Sequence, residues 1–238
     1  MRTSIAKKTL LILAPLALAA SVFAPVPANA AATRYITVNA EGTVKVAPDA
    51  VRLTTTVSVV AASNKDALAQ TSSTATAVRK ALIAAGISTK DIATQNITVY
   101  PEYKYDNNGG STQVGYRGSQ FFTVVIRAAA TAGAVVDAAV AAGGDSLLVN
   151  SVNPFLLDAA KAAESARAVA VKNAKAKATS YAKLLGVKLG KVNYLTENGS
   201  PAISTPVFAA AAKTESDSTV VDLGQQDVTV SITVQWAL

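Results

Sequence analysis

The stretch Ala81–Tyr105, ALIAAGISTKDIATQNITVYPEYKY, constrains the fold more than any other part of the chain. A helix end, a tight turn and a long strand follow one another there with little slack. Gly86 is placed to take the left-handed conformation that closes a helix. Asp91 can bond backbone amides where the chain restarts, and Ile97, Val99 and Pro101 alternate with polar neighbours as in a strand. None of these residues is chemically reactive, so the stretch speaks to architecture and not to a reaction.

The flanking sequence extends the pattern. Arg34–Val46 and Ala50–Val60 alternate polar and apolar residues around Ala47-Pro48-Asp49, which predicts a β-hairpin. From Asn64 to Ala85 the spacing turns helical through Ala67, Leu68, Thr71, Ala75, Val78 and Leu82, with Ser63 as the N-cap. A second hairpin is predicted from Ile92–Tyr105 and Val114–Ala128 across Asp106–Gly110. Thr131–Ala142 reads as a short helix and Ser146–Leu157 as a strand, whose Pro154 marks an edge or a bulge. Asp158 opens the longest helix, reaching Leu185 with Ala163, Ala166, Ala170, Ala174, Ala178, Tyr181 and Leu185 on the face expected to meet a sheet and lysines on the other. Lys188–Glu197 and Gln226–Ala237 read as the last strands. The order ββαβ then βαβαββ predicts an α+β fold of two closely packed lobes, antiparallel or mixed sheet with helices on one face. Asn198–Leu223, rich in Pro, Ala, Ser and Thr, is too long for an ordinary connection and reads as a flexible loop.

The N-terminus has the anatomy of a secretory signal peptide over residues 1–30: Arg2, Lys7 and Lys8, an apolar run from Thr9 to Ala24, then Ala28-Asn29-Ala30. The run is shorter than the roughly 20 apolar residues of a membrane span and contains Pro15, so cleavage near Ala31 and no stable span are expected. Three of the 22 basic residues lie in that leader and all 15 acidic ones beyond it, so the processed chain would carry +4. That excess is too mild for a nucleic-acid binder. The chain has no histidine and no cysteine, which excludes Ser-His-Asp and Cys-His nucleophilic sites, imidazole or thiolate metal sites and thiol redox chemistry. No cofactor is expected.

In this order and spacing the segments resemble the SIMPL-domain family. The resemblance is carried by Ile36-Thr37-Val38 with Gly42, Pro48-Asp49, Ala81-Leu82, Gly86-Ile87, Asp91-Ile92, Pro101-x-Tyr103 and Gly115-Tyr116-Arg117. Ala166-Arg167, Ala170, Ala174, Lys177-Ala178, Gly186-Val187, Leu189–Val192 and Val228–Val234 carry it through the second half. Gly144-Asp145 and Asn153-Pro154 depart from the family's pattern. The resemblance implies an exported bacterial-type protein akin to periplasmic immunogenic and oxidative-stress-defence proteins. It also implies two α+β lobes, assembly into ring-like oligomers as in at least one member, and no established catalytic site. The only methionine is Met1, so protection against oxidation would be indirect.

The candidate interaction surface is the aromatic hairpin, Tyr100, Tyr103, Tyr105 and Tyr116 with Phe121 and Phe122, several of which should meet across the strands. Arg117 lies beside it, either as a contact or in a salt bridge to Glu102. Arg167 reads as a structural pairing or an interface residue, within a basic helix face of Lys161, Lys172, Lys175, Lys177 and Lys183 that is either solubilising or anion-binding. Asp106–Gly110 lacks the alternating ligands of a calcium loop and reads as a turn. A carboxylate hydrolase would need two of Asp49, Asp91 and Glu102 to converge. Two functions are therefore open: a non-catalytic envelope protein acting by self-assembly or by binding an envelope protein, or a glycan-binding module or weak carboxylate-dependent hydrolase.

Overall fold

The computed structural model of the protein describes residues 34–204 and 219–238; the expected leader and the centre of the Asn198–Leu223 stretch lie outside them. Eleven elements follow in chain order: β1 (Tyr35–Val46), β2 (Ala50–Ala61), α1 (Asn64–Ala84), β3 (Ile92–Tyr105), β4 (Ser111–Ile126), α2 (Ala132–Gly143), β5 (Leu147–Phe155), α3 (Ala160–Leu184), β6 (Val192–Glu197), β7 (Ala202–Ile203) and β8 (Gln226–Ala237). The strands form two sheets, β3-β4-β2-β5 and β1-β8-β6 with β7 alongside β8, and every pairing is antiparallel. The fold is α+β. Among the described residues no helix is long and apolar enough to cross a membrane.

Local signals act as their chemistry requires. The Ser63 hydroxyl accepts the Asp66 N–H at 3.1 Å and caps α1. Gly86 takes φ +92° at the other end, where the Ile87 N–H returns to the Leu82 carbonyl at 3.0 Å. Pro154 lies in β5, the edge of the first sheet, so the edge reading holds; it pairs in register with Val51, and the slip in β5 falls at Asn150 instead.

The expected hairpin of β1 and β2 does not form. Their apolar residues serve different cores: Ile36 and Val38 join Val230, Ile232, Val234 and Trp236 under α3, whereas Val51, Leu53 and Val57 join Phe122, Val124 and Ile126 under α1 and α2. The Asp49 carbonyl accepts the Ala129 N–H and its carboxylate accepts the Leu157 N–H at 2.8 Å, pinning the link as a crossover between sheets. Alternation around a Pro-Asp turn is the same in a hairpin and in a crossover; only burial partners distinguish them.

Each sheet receives its helix through a glycine. A Cβ on Gly42 of β1 would lie 2.1 Å from the Ala166 carbonyl oxygen and 2.3 Å from the Ala170 nitrogen, so only hydrogen fits beneath α3. That helix buries Ala163, Ala166, Ala170, Ala174, Ala178 and Ala182, and the small side chains permit the approach. Gly118 of β4 does the same beneath α1, where a Cβ would meet the Ala67 carbonyl oxygen at 2.7 Å.

The long connection is structured at both described ends. Ala202 and Ile203 pair with Thr229 and Val228 as β7. On the far side, the N–H and hydroxyl of Thr219 both bond the Asp137 carboxylate on α2, and Val221 and Leu223 pack against the first core before Gln226 opens β8.

Candidate functional site

The β3–β4 hairpin is the most exposed aromatic surface of the fold. The ladder between β2 and β4 ends at Ala61 opposite Tyr116, so Pro101–Gly115 continues as a two-stranded arm with no third strand beside it among the described residues. The turn is closed by Asp106, whose carboxylate accepts the N–H groups of Asn108 and Gly110 at 2.9 and 2.8 Å.

No tyrosine stands directly opposite another in the ladder. Tyr100 stands opposite Arg117, Tyr103 opposite Gln113, Tyr105 opposite Ser111 and Tyr116 opposite Pro101. A register slip between Glu102 and Tyr103 leaves Val114 without an opposite number. Alternation then divides the residues. Tyr100 and Glu102 share a face with Arg117, while Tyr103, Tyr105 and Tyr116 lie on the opposite one, the face on which Gly118 meets α1. Tyr105 is 74% exposed, and Tyr103 and Val114 are also exposed. Phe122 belongs to the core instead, and Phe121 stands opposite Asn96.

Arg117 is held in place. Its Nε and one terminal nitrogen donate to the two Glu102 oxygens at 2.8 and 2.6 Å, and its other terminal nitrogen donates to the Ser58 hydroxyl at 3.1 Å. Arg167 makes the same two-pronged contact with Glu197 of β6 at 2.7 and 3.0 Å, tying α3 to that strand. In both pairs the guanidinium's hydrogen bonds hold the carboxyl below its usual range.

The three carboxylates considered for catalysis do not converge. Asp91 and Glu102 sit near opposite ends of β3, about 35 Å apart at ordinary strand rise. Asp91 does not bond backbone amides as expected: it receives Nε and a terminal nitrogen of Arg127, each at 2.8 Å. The sequence reading missed Arg127, although hairpin register would have found it, because Ile92 pairs with Val124 and so brings the end of β4 beside the start of β3. Asp49 is engaged with Leu157 N–H. A cleft of about 530 Å³ lies between the end of β1 and the start of α3, where Lys45 pairs with Asp227 at 2.8 Å, Asp158 accepts the Ala160 N–H at 2.8 Å and Lys161 joins the lining.

The Asp91–Arg127 contact gives a pH prediction. The Arg127 hydrogen bonds hold the Asp91 carboxyl below its ordinary value, so the native state favours the ionised form. The stabilisation is complete above the unfolded-state pKa and is lost as pH falls through the depressed one. Melting temperature should therefore drop on acidification below about pH 4, and Asp91→Asn should be less stable at neutral pH with a shallower acid limb. An equally steep acid limb in the variant would show that this pair contributes nothing to it.

Comparison with known proteins follows this geometry closely. A family model described as "SIMPL: Protein of unknown function (DUF541)" matches residues 36–236, which takes in both sheets and all three helices. The chain belongs to the SIMPL family. This SIMPL protein is 31% identical over 212 residues to the 26 kDa periplasmic immunogenic protein of Brucella melitensis, covering 84% of this chain and 82% of that one. The same-named Brucella abortus protein matches over the same lengths. The uncharacterized protein YggE of Edwardsiella ictaluri is 31% identical over 149 residues, 60% of each chain. The SIMPL match begins at Ile36, the first buried residue of β1, and ends at Trp236, the last buried residue of β8, so it coincides with the second core's own limits.

Proposed function

We propose that this SIMPL protein is exported to the cell envelope and works there by non-catalytic association, first with copies of itself and then with other envelope components. The observation that carries the reading is the two-stranded arm Pro101–Gly115. An isolated hairpin is marginally stable in water, and this one displays Tyr103 and Tyr105 on one face with no strand or helix among the described residues to cover them. Tyrosine suits such a contact, since it joins a large apolar ring to a hydrogen-bonding tip. The periplasmic description of the Brucella relatives supports the location, and the signal-like leader agrees with it.

The test is the solution mass of the chain from Ala31, by light scattering on a size-exclusion column. A discrete oligomer is expected, and Tyr103→Ser with Tyr105→Ser should shift it to monomer while leaving the melting transition in place. A parent protein that stays monomeric at high concentration would remove self-assembly from the reading. Because Tyr103, Tyr105 and Tyr116 share one face, sugar stacking is the second reading. Saturable binding of cell-wall glycan that disappears in the same double variant, with the mass unchanged, would select it over assembly.

A further inference from the structure

The end of the second sheet remote from the first brings three elements together. There α3 stops at Leu184, β6 starts at Val192 opposite Trp236, and β1 starts at Tyr35 opposite Ala237. The link to the first sheet leaves from the other end, through Asp49 and through Gln226, which bonds the Pro154 carbonyl. At the remote end the surface is apolar. Leu184 is 80% and Leu185 65% exposed, and Tyr181, Val192 and Leu195 are exposed beside them. The cause lies in the packing: α3 covers β1 and β8, so Val192 and Leu195, which alternate onto the helix side of β6, have no helix above them.

Lysines flank this patch. Lys183, Lys188 and Lys191 are exposed beside it and Lys172, Lys175 and Lys177 are exposed further up α3, and among the described residues none has an ion-pair partner. From Ser165 to Thr196 the chain holds seven basic residues and no acidic one. The remainder beyond Ala30 has 12 basic and 15 acidic residues, a net charge of −3. The positive charge of the processed chain is thus concentrated on α3 and the turn after it, and three of these seven residues fall in the segment Lys183-Leu-Leu-Gly-Val-Lys188-Leu-Gly-Lys191-Val.

We propose that this end docks on the surface of an anionic phospholipid bilayer. Leu184 and Leu185 enter the boundary between headgroups and acyl chains, and Lys183, Lys188 and Lys191 lie over the lipid phosphates. Exposed leucines rimmed by lysines fit that interface, because long lysine stems cover apolar surface while their ammonium groups stay in the headgroup layer. A second copy fits poorly, since a two-fold contact through this end would set the lysines of both copies against each other. A soluble polyanion would satisfy the lysines and leave the leucines without a role. The inference does not rest on the assembly reading, which concerns an arm of the other sheet, so either can fail alone.

The experiment is co-sedimentation of the chain from Ala31, which contains every residue of both cores, with vesicles of phosphatidylglycerol and phosphatidylcholine or of phosphatidylcholine alone. Partitioning onto the anionic vesicles, falling steeply with salt, is expected. Replacing Lys183, Lys188 and Lys191 by serine should lower it about a hundredfold, at about fivefold per lysine. Leu184→Ser with Leu185→Ser should lower it about tenfold or more. Melting should be unchanged in these variants, and a tryptophan at 184 (Leu184→Trp) should be quenched by brominated lipid tails whatever their stability. Three results would each overturn the proposal: no binding to anionic vesicles, binding indifferent to the leucines though lost with the lysines, or no quenching at 184.

Discussion

Gly42→Val is expected to unseat α3 and lower the melting temperature by about 6–12 °C, the product of an overpacking cost of about 3 kcal/mol and a response of about 2–4 °C per kcal/mol for a chain of this size. The estimate sits at the upper end of overpacking costs because the obstacle is helix backbone, the Ala166 carbonyl and the Ala170 nitrogen, and not a side chain that can turn away. Trp236, the single tryptophan, belongs to the core beneath α3 and supplies a local probe. Its emission should shift to the red at lower temperature in the variant. A change to alanine is already enough to force the contact, so a Gly42→Ala protein that melts with the parent would refute the close-approach argument.

Phe122→Ala attacks the other core. Phe122 is 2% exposed and packs with Leu53, Val57, Val78 and Leu82. Its truncation should cost about 3–5 kcal/mol. The two substitutions together test how far the two sheets behave as separate lobes. Far-UV circular dichroism reports both sheets and Trp236 only the second, so coincident transitions in both variants are expected. The ground is the segment from Thr219 to Gln226, which anchors Val221 and Leu223 in the first core and then becomes the central strand of the second sheet. Tryptophan emission that stays native while half of the dichroism is lost in Phe122→Ala would mean that the cores melt independently.

Much of the architecture was legible because local rules and tertiary outcome agree. Ser63 caps, Gly86 turns left-handed, and β8 spans the expected residues because Val228, Val230, Ile232, Val234 and Trp236 alternate without a break. What escaped depends on partners distant in sequence. Nothing near Ala47-Pro48-Asp49 distinguishes a hairpin from a crossover, and the pairing of β1 with β8 can be seen only once both lie under the same alanine face. The candidate site behaved likewise. The Arg117–Glu102 pair was readable from hairpin spacing, and so was the division of Tyr100 from Tyr103 and Tyr105 by their odd spacing along β3, whereas the bulge that leaves Val114 unpaired had no composition signal. Tyr181 and Leu185 continue the spacing of the alanine stripe, yet both stand exposed, because the buried face of α3 stops at Ala182.

The position of β8 has a consequence for the order of events at synthesis. Tyr35 and Ala237 are partners, so the first strand of the second sheet waits for one that follows every other element along the chain. Contacts this distant in sequence form late and slowly. A nascent polypeptide would present Ile36 and Val38 uncovered throughout elongation, and its leading end would stay extended until the whole chain was available. The same topology that ties the finished molecule together therefore keeps the second core open until its last strand arrives, while β2 to β5 can already pair with one another.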